Sequence, residues 1–229
     1  MTGLRVALDG PGSSGKSSVG AAASRVLGYR FLDTGVLYRA LTWLAVQRGI
    51  HPEDEDALLP LVDELELAAD ENGGLRRVLI GGREVTDRLH APEVDRYVSA
   101  VARQARVRAA LMPCQRELAA TGGIVVAGRD IGTVVLPDAD LKLYLDVSVT
   151  ERARRRAAER DLDPESAEAA VILAELRRRD DIDSSRDVAP LRVPDDAVVV
   201  RSDGRHFEET VAAVVAIIRD HEAQGRDEG

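Results

Sequence analysis

The chain has 229 residues, 45% of them hydrophobic, and a formal net charge of −9. These values exclude a disordered chain and argue against a general affinity for nucleic acids or acidic membranes. The lone Cys114 excludes an internal disulfide framework. No apolar run approaches the roughly 18 residues of a membrane helix, and no signal peptide precedes the first predicted strand. We therefore expect a cytoplasmic α/β protein without a membrane partner.

The first fifth of the chain predicts alternating strands and helices. A short apolar segment at 4–9 predicts a buried strand. Small residues at helical spacing predict a helix over 16–27 that ends at Gly28. A second strand at 29–32 and a second helix over 36–48 complete this unit.

The segment from residue 52 to about 95 differs in composition and predicts an insertion into the parallel core. An acidic helix is expected over 54–67. The stretch 75–84 predicts a small hairpin, with turns at an Asn-Gly-Gly sequence and at Gly81-Gly82.

The rest of the chain returns to alternation. In order, we predict helices over 91–102 and 107–121, strands at 124–127 and 141–146, an arginine-rich helix over 152–160, a strand at 197–201 and a helix over 207–222. Strands that alternate with helices favour a mainly parallel, doubly wound sheet.

A phosphate-binding loop lies between the first strand and the first helix. The segment GPGSSGKS, from Gly10 to Ser17, matches G-x-x-x-x-G-K-[ST] without a gap. The predicted nucleotide-binding residues are Gly10, Pro11, Gly12, Ser13, Ser14, Gly15, Lys16, Ser17 and Ser18. Backbone N–H groups and the helix N-terminus would bind phosphate oxygens, while Lys16 reaches the β- and γ-phosphates and the Ser17 hydroxyl ligates Mg²⁺. A nucleoside triphosphate is the expected ligand.

Arginine placement is the second signal. Five arginines lie near element boundaries beside small polar or acidic residues: Arg39, Arg108, Arg129, Arg179 and Arg186. A kinase of a phosphorylated acceptor needs many cations, because two polyanions must approach each other. A solvated basic face is the alternative for any single arginine. A GTPase-like switch would need an N-K-x-D motif, and a kinase of an unphosphorylated metabolite would need an acidic base and fewer arginines.

Four segments resemble the bacterial cytidylate kinase family of nucleoside-monophosphate kinases. They are DGPGSSGKS at 9–17, LDTGVLYR at 32–39, GRDIGTVV at 128–135 and RDDIDSSRDVAPL at 179–191. The resemblance extends from Val6 to about Asp203. It implies a P-loop kinase core with a five-stranded, mainly parallel sheet flanked by helices.

The same resemblance implies three functional regions within one domain. The core comprises 1–51, 105–151 and 165–229. An inserted monophosphate-binding region covers about 52–104, and a short arginine-rich lid covers about 152–164.

Site residues follow from the resemblance, position by position. The acceptor's α-phosphate would be held by Thr34, Tyr38, Arg39, Arg129 and Arg186. The cytosine ring would be recognised by Ser99, Arg108 and Asp130, and the ribose hydroxyls by Arg179 and Asp183. The implied catalytic residues are Lys16, Arg129, Arg155 and Arg186. For individual positions, helix caps (Asp130, Asp183), a small helix residue (Ser99) and a core aromatic (Tyr38) remain the alternatives.

The implied activity is Mg²⁺-dependent phosphoryl transfer from ATP to CMP or dCMP by a monomer, with no general base and no covalent intermediate. Phosphorylation of another monophosphate or a small metabolite is the alternative, followed by a nucleotide switch. One departure concerns the metal. The family usually has an acidic residue where this chain has Ala127, so Asp9 or Asp33 would have to orient the Mg²⁺ waters.

Overall fold

A computed structural model describes residues 3–70 and 74–227. The strands are β1 Arg5–Asp9, β2 Arg30–Asp33, β3 Leu65–Ala69, β4 Gly74–Ile80, β5 Arg83–Glu84, β6 Ile124–Gly128, β7 Leu141–Asp146 and β8 Val198–Arg201. The helices are α1 Lys16–Leu27, α2 Gly35–Gln47, α3 Glu55–Val62, α4 Pro92–Ala102, α5 Ala105–Ala119, α6 Val149–Ala158, α7 Ala167–Ser185 and α8 Phe207–Asp227. A 3₁₀ turn spans Thr86–Arg88 and a π-helical turn spans Ile131–Val135.

The sheet confirms the predicted parallel core. Strands β2, β6, β1, β7 and β8 pair in that order, and every pair is parallel. The inserted strands extend this core: β4 pairs in parallel with β2, and β3 and β5 pair antiparallel with β4. The described sheet therefore has eight strands, and the predicted number of five applies to the strands outside the inserted region.

The central strands are buried on both faces. Val6 and Leu8 pack with α1 and α8 on one face, whereas Ala7 packs with the π-helical turn and α5 on the other. Two buried faces explain the nearly continuous apolar sequence of β1 and β6. On the first face, a Cβ atom on Gly20 would lie 2.6 Å from the Phe31 ring, so this glycine lets α1 approach the sheet closely.

The predicted acidic helix was too long. Helix α3 is capped by Asp54, which accepts a hydrogen bond from the Ala57 N–H (3.1 Å), and it ends at Val62. Residues 65–69 form β3 because Leu65 and Leu67, two residues apart, both pack against the hydrophobic core while the backbone pairs with β4. The Gly81-Gly82 turn joins β4 to β5 as predicted. The Asn-Gly-Gly turn includes residues 72 and 73, which lie outside the described residues.

Helix α7 was not predicted from the sequence. Its buried residues Ile172 and Leu176 pack against Ala153 and Ala157 of α6. Asp183 lies seven residues after Leu176 and therefore on the same face of α7. The apolar residues of this face are followed by polar ones that lie at the carboxyl ends of the parallel strands.

Among the described helices, none has the length and apolar character needed to cross a membrane.

Candidate active site

A cleft of about 620 Å³ lies where the loops after β1, β2 and β6 meet α4, α6 and α7. Eleven Lys and Arg side chains line it, against five Asp and Glu side chains. The whole chain has the opposite balance, with a net charge of −9. Such a local excess of positive charge focuses anionic ligands into the cleft.

The phosphate-binding loop forms one end of the cleft. Gly15 has a φ of +86°, a left-handed conformation that glycine adopts without steric cost. A Cβ atom on Gly10 would lie 2.7 Å from the Leu145 carbonyl oxygen of β7, so the loop can only pass this strand as glycine. The Lys16 Nζ donates a hydrogen bond to the Pro11 carbonyl oxygen (3.0 Å) and is thereby held inside the loop.

Lys16 is buried beside other cations. Burial, followed by the charges of Arg129 and Arg179, lowers its pKa from 10.5 to about 7. No carboxylate contacts its ammonium group among the described residues. A bound polyphosphate would supply the missing negative charge.

Two buried ion pairs form the opposite end. Arg129 donates to Asp183, and Arg108 donates to Asp130. Burial is the largest single effect on the pKa of Arg129 and acts to lower it, but the charge and hydrogen bond of Asp183, together with the charges of Asp180 and Asp33, raise the pKa overall. Arg186 approaches the second Asp130 oxygen at 3.7 Å, too far for a hydrogen bond.

Several buried donors lack hydrogen-bond partners among the described residues. They are Arg186 Nη2, Arg179 Nε and Arg108 Nε. An unsatisfied buried donor costs about 1–3 kcal/mol, and more when it is charged. The cleft therefore presents donors that an anionic ligand can satisfy.

The remaining predicted site residues at this end of the cleft lie around these pairs. The Thr34 Oγ1 donates to the Ala127 carbonyl oxygen (3.0 Å). The Arg108 guanidinium lies 5.4 Å from the centroid of the Tyr38 ring, within cation–π range. Arg39 donates to the Leu89 carbonyl oxygen and to Asp95, both at 2.8 Å. Ser99 is buried and lines the same cleft.

The cleft collects nearly all of the predicted site residues. Those that line it are Gly12, Ser13, Ser14, Gly15, Lys16, Ser17, Ser18, Thr34, Tyr38, Arg39, Ser99, Arg108, Arg129, Asp130, Arg155, Arg179, Asp183 and Arg186. Gly10 and Pro11 are buried beneath the loop and do not line it. Their contribution is to the path of the backbone.

The arginines of the arginine-rich helix α6 make different contacts. Arg152 is buried and donates to the Gly12 carbonyl oxygen (2.9 Å) and to both oxygens of Asp180, so it ties the phosphate-binding loop to α7. Arg155 donates to Glu151 and to the Ser202 backbone. Arg156 donates to Asp95. The sequence analysis gave Arg152 and Arg156 no individual role, although four-residue spacing places them on one helix face.

The two carboxylates considered for the metal differ in availability. Both oxygens of Asp9 accept hydrogen bonds at 2.8 Å, from the Ile131 and Gly132 N–H groups, and burial raises the Asp9 pKa to about 6. Asp33 lines the cleft, and one of its oxygens accepts from the Gly35 N–H (2.9 Å). Ala127 pairs with Asp33 across β6 and β2 and packs in the core. Asp33 is therefore the better-placed carboxylate.

Comparison with known proteins gives one consistent family. The family model described as cytidylate kinase matches residues 6–220. A cytidylate kinase from Geobacillus sp. is 41% identical over 95% of this chain and 97% of that protein, and one from Geobacter sulfurreducens is 40% identical over 96% and 94%. A bifunctional pantoate ligase/cytidylate kinase from Synechococcus sp. is 42% identical over 96% of this chain, which spans only 46% of that relative. The chain belongs to the cytidylate kinase family.

Proposed function

We propose that this protein transfers the γ-phosphoryl group of ATP to CMP or dCMP, giving ADP and CDP or dCDP. One observation carries the proposal: a single cleft contains both the buried Lys16 and buried arginine donors that have no hydrogen-bond partner among the described residues. A nucleotide hydrolase needs the first of these features alone. A second set of cations is required when the acceptor is itself a phosphate.

The donor's phosphates would lie against the phosphate-binding loop. The backbone N–H groups of residues 10–18 and the N-terminus of α1 would bind the β- and γ-phosphates. Lys16 would contact the transferring group, because its ammonium lies inside the loop and is surrounded by arginines that favour an added anion.

The acceptor would occupy the other end of the cleft. Its α-phosphate would contact Thr34, Tyr38, Arg39, Arg129 and Arg186. The Nη2 of Arg186, which makes no hydrogen bond among the described residues, supports this assignment. Its ribose hydroxyls would contact Arg179 and Asp183.

Cytosine would be recognised by Asp130 with Ser99 and Arg108. Asp130 accepts a hydrogen bond from Arg108 and lies 3.7 Å from Arg186, so its position as an acceptor is fixed. The cytosine amino group is a donor, whereas uracil has a carbonyl at that position. A fixed carboxylate therefore favours cytosine and disfavours uracil.

Magnesium fits the residues on the donor side. Mg²⁺ takes oxygen ligands, keeps several waters and is held by one or two protein groups together with substrate phosphates. The Ser17 hydroxyl would ligate it. Asp33 would orient its waters, since this chain has Ala127 where the family usually has an acidic residue. When bound, the metal would neutralise charge on the phosphate oxygens.

We also infer that the arginine-rich segment 152–164 closes over the phosphates as a lid and that region 52–104 moves with the acceptor. Helices α6 and α7 pack through a small separate cluster of apolar residues, mainly alanines, which supports a partly independent unit. Closure would exclude water that could otherwise hydrolyse ATP.

The protein's own contribution would be positioning and charge stabilisation, because the ionised phosphate of the acceptor needs no general base in order to attack.

The test is an ADP-release assay with Mg²⁺-ATP and separate acceptors: CMP, dCMP, UMP, AMP and none. We expect fast turnover with CMP or dCMP, slow turnover with the other monophosphates and almost none without an acceptor. Equal rates on all monophosphates would overturn the proposed specificity. ATP turnover that does not depend on an acceptor would indicate a nucleotide hydrolase or switch instead.

A further inference from the structure

Asp95 joins the inserted region to the arginine-rich helix. It lies in the first turn of α4, and its Oδ1 accepts a hydrogen bond from Arg39 Nη2 (2.8 Å). Its Oδ2 accepts from Arg156 Nη2 of α6 (3.2 Å). Of the ion pairs seen among the described residues, this is the one that links α6 to region 52–104. Asp95 does not line the cleft, whereas both of its arginines do.

The neighbouring arginines of α6 differ in how many donors they have left. All three guanidinium nitrogens of Arg155 are engaged: Nε with Glu151 (2.8 Å), Nη1 with the Ser202 hydroxyl (3.3 Å) and Nη2 with the Ser202 carbonyl oxygen (2.5 Å). Among the described residues, Arg156 makes one hydrogen bond, to Asp95, and its Nη1 lies 3.7 Å from Glu159, too far for a second one. Arg156 therefore retains donors that can face the cleft.

We propose that Arg156, positioned by Asp95, is the lid arginine that contacts the transferring phosphoryl group, and that Arg155 instead holds the loop after β8. Asp95 is then a positioning residue for arginines on both sides of the acceptor. This inference rests on the proposed phosphoryl transfer.

The chemistry requires a cation at this place. The bond from the γ-phosphorus to the β,γ-bridging oxygen breaks as a bond to an α-phosphate oxygen of the acceptor forms, so the products are ADP and the nucleoside diphosphate. No electrons or protons need another carrier. Negative charge spreads over the three transferring oxygens, and a guanidinium aimed at them lowers the barrier. Because Asp95 binds Arg39 and Arg156 together, an acceptor phosphate held by Arg39 brings Arg156 to the reacting group.

Steady-state kinetics of substituted proteins test this assignment. Arg156→Gln should lower kcat by about 10²- to 10³-fold and change the KM for ATP little, as expected for a group that acts mainly in the transition state. Arg155→Gln should chiefly raise the KM for ATP, by about fivefold, because the loop at Ser202 loses its anchor. Asp95→Asn should lower kcat and raise the KM for the acceptor by about tenfold each, because the amide keeps only one acceptor oxygen.

Coupling distinguishes positioning from mere structural support. If Asp95 acts on the chemical step through Arg156, Asp95→Asn should lower kcat little further in the Arg156→Gln background. Arg154→Gln is the matched control, since Arg154 is exposed, pairs with Glu151 and does not line the cleft. It should stay within about twofold of the wild type.

Three outcomes would overturn the inference: a kcat loss in Arg155→Gln as large as in Arg156→Gln, fully additive effects of Asp95→Asn and Arg156→Gln, or equal rises of both KM values in Asp95→Asn. All variants are compared on the monophosphate that the wild type phosphorylates fastest. An unexpected acceptor would then overturn the proposed specificity alone. A wild type that phosphorylates no monophosphate would overturn both proposals.

Discussion

The two ends of the cleft are built in different ways. The donor end is one continuous loop whose shape depends on backbone conformation, with a left-handed Gly15 and a glycine against β7. The acceptor end is assembled from side chains of α2, α4, α5, α7 and the turn after β6, which are held by ion pairs among themselves. The donor end is therefore formed by consecutive residues of one loop, whereas the acceptor end brings together residues that are distant in the sequence.

The two ends also differ in electrostatics. Lys16 at the donor end is buried, no described carboxylate contacts it, and its pKa is lowered. At the acceptor end Asp183 holds Arg129, and Asp130 holds Arg108, so these cations are partly neutralised before any ligand binds. The donor end therefore gains most from phosphate charge itself, while the acceptor end is suited to recognising the shape and hydrogen bonds of one nucleotide.

Removing Lys16 should break the donor end with the largest effect on rate. We expect Lys16→Ala to lower kcat by about 10²- to 10³-fold, because one preorganised charge at the transferring phosphoryl group is lost. The melting temperature should stay the same or rise, since the substitution removes a buried cation that lies among arginines. The measurements are the ADP-release assay and thermal unfolding without ligand.

The acceptor KM serves as the control for Lys16→Ala, and it should change much less than kcat. Turnover close to that of the wild type would contradict a phosphate role for this lysine. A large fall in melting temperature would instead assign it to the stability of the loop.

Asp130→Asn should damage the acceptor end selectively. The amide has the shape of the carboxylate but offers one acceptor oxygen, which must serve both Arg108 and the cytosine amino group. We expect the KM for CMP to rise by about tenfold or more, the KM for ATP to stay within about twofold, and the preference for CMP over UMP to shrink. Asp130→Ala is less informative, because it leaves Arg108 and Arg186 buried without a counter-charge, at a cost of about 3–5 kcal/mol. Equal losses for both substrates would show that Asp130 is structural.

The same difference in construction explains how well each end of the cleft could be predicted from the sequence. Pattern and spacing located the phosphate-binding loop and α1 to the residue, because the loop lies within one strand–turn–helix unit. The parallel core was also predictable, since short, largely apolar strands alternate with helices along the chain. Family resemblance selected the acceptor residues, but it could not pair Asp130 with Arg108 or Asp183 with Arg129, because those partners are 22 and 54 residues apart.

The separate roles of the α6 arginines were harder to predict from the sequence. Arg152, Arg155 and Arg156 are chemically identical and closely spaced, and only their partners on α7, β8 and α4 separate them. The helix predicted over 54–67 includes residues 65–67, whose two leucines suit either period over so short a segment. Pairing with β4, a tertiary interaction, decides the strand.

Proton uptake on ATP binding tests the electrostatic difference between the two ends of the cleft, and it is the smallest of the three effects predicted here. The pKa of Lys16 is about 7 in the free protein, and bound phosphates should move it back towards 10.5. Between pH 7 and pH 10.5 the ATP complex holds more protons than the free protein, so binding takes up protons. The affinity for ATP therefore falls as the pH rises above 7, by up to about tenfold per pH unit. At pH 8 the uptake should approach roughly nine-tenths of a proton. Calorimetry in two buffers of different ionisation enthalpy measures it, and Lys16→Met should abolish it. Proton release, or uptake that persists in Lys16→Met, would place the titrating group elsewhere and remove the contrast between the two ends.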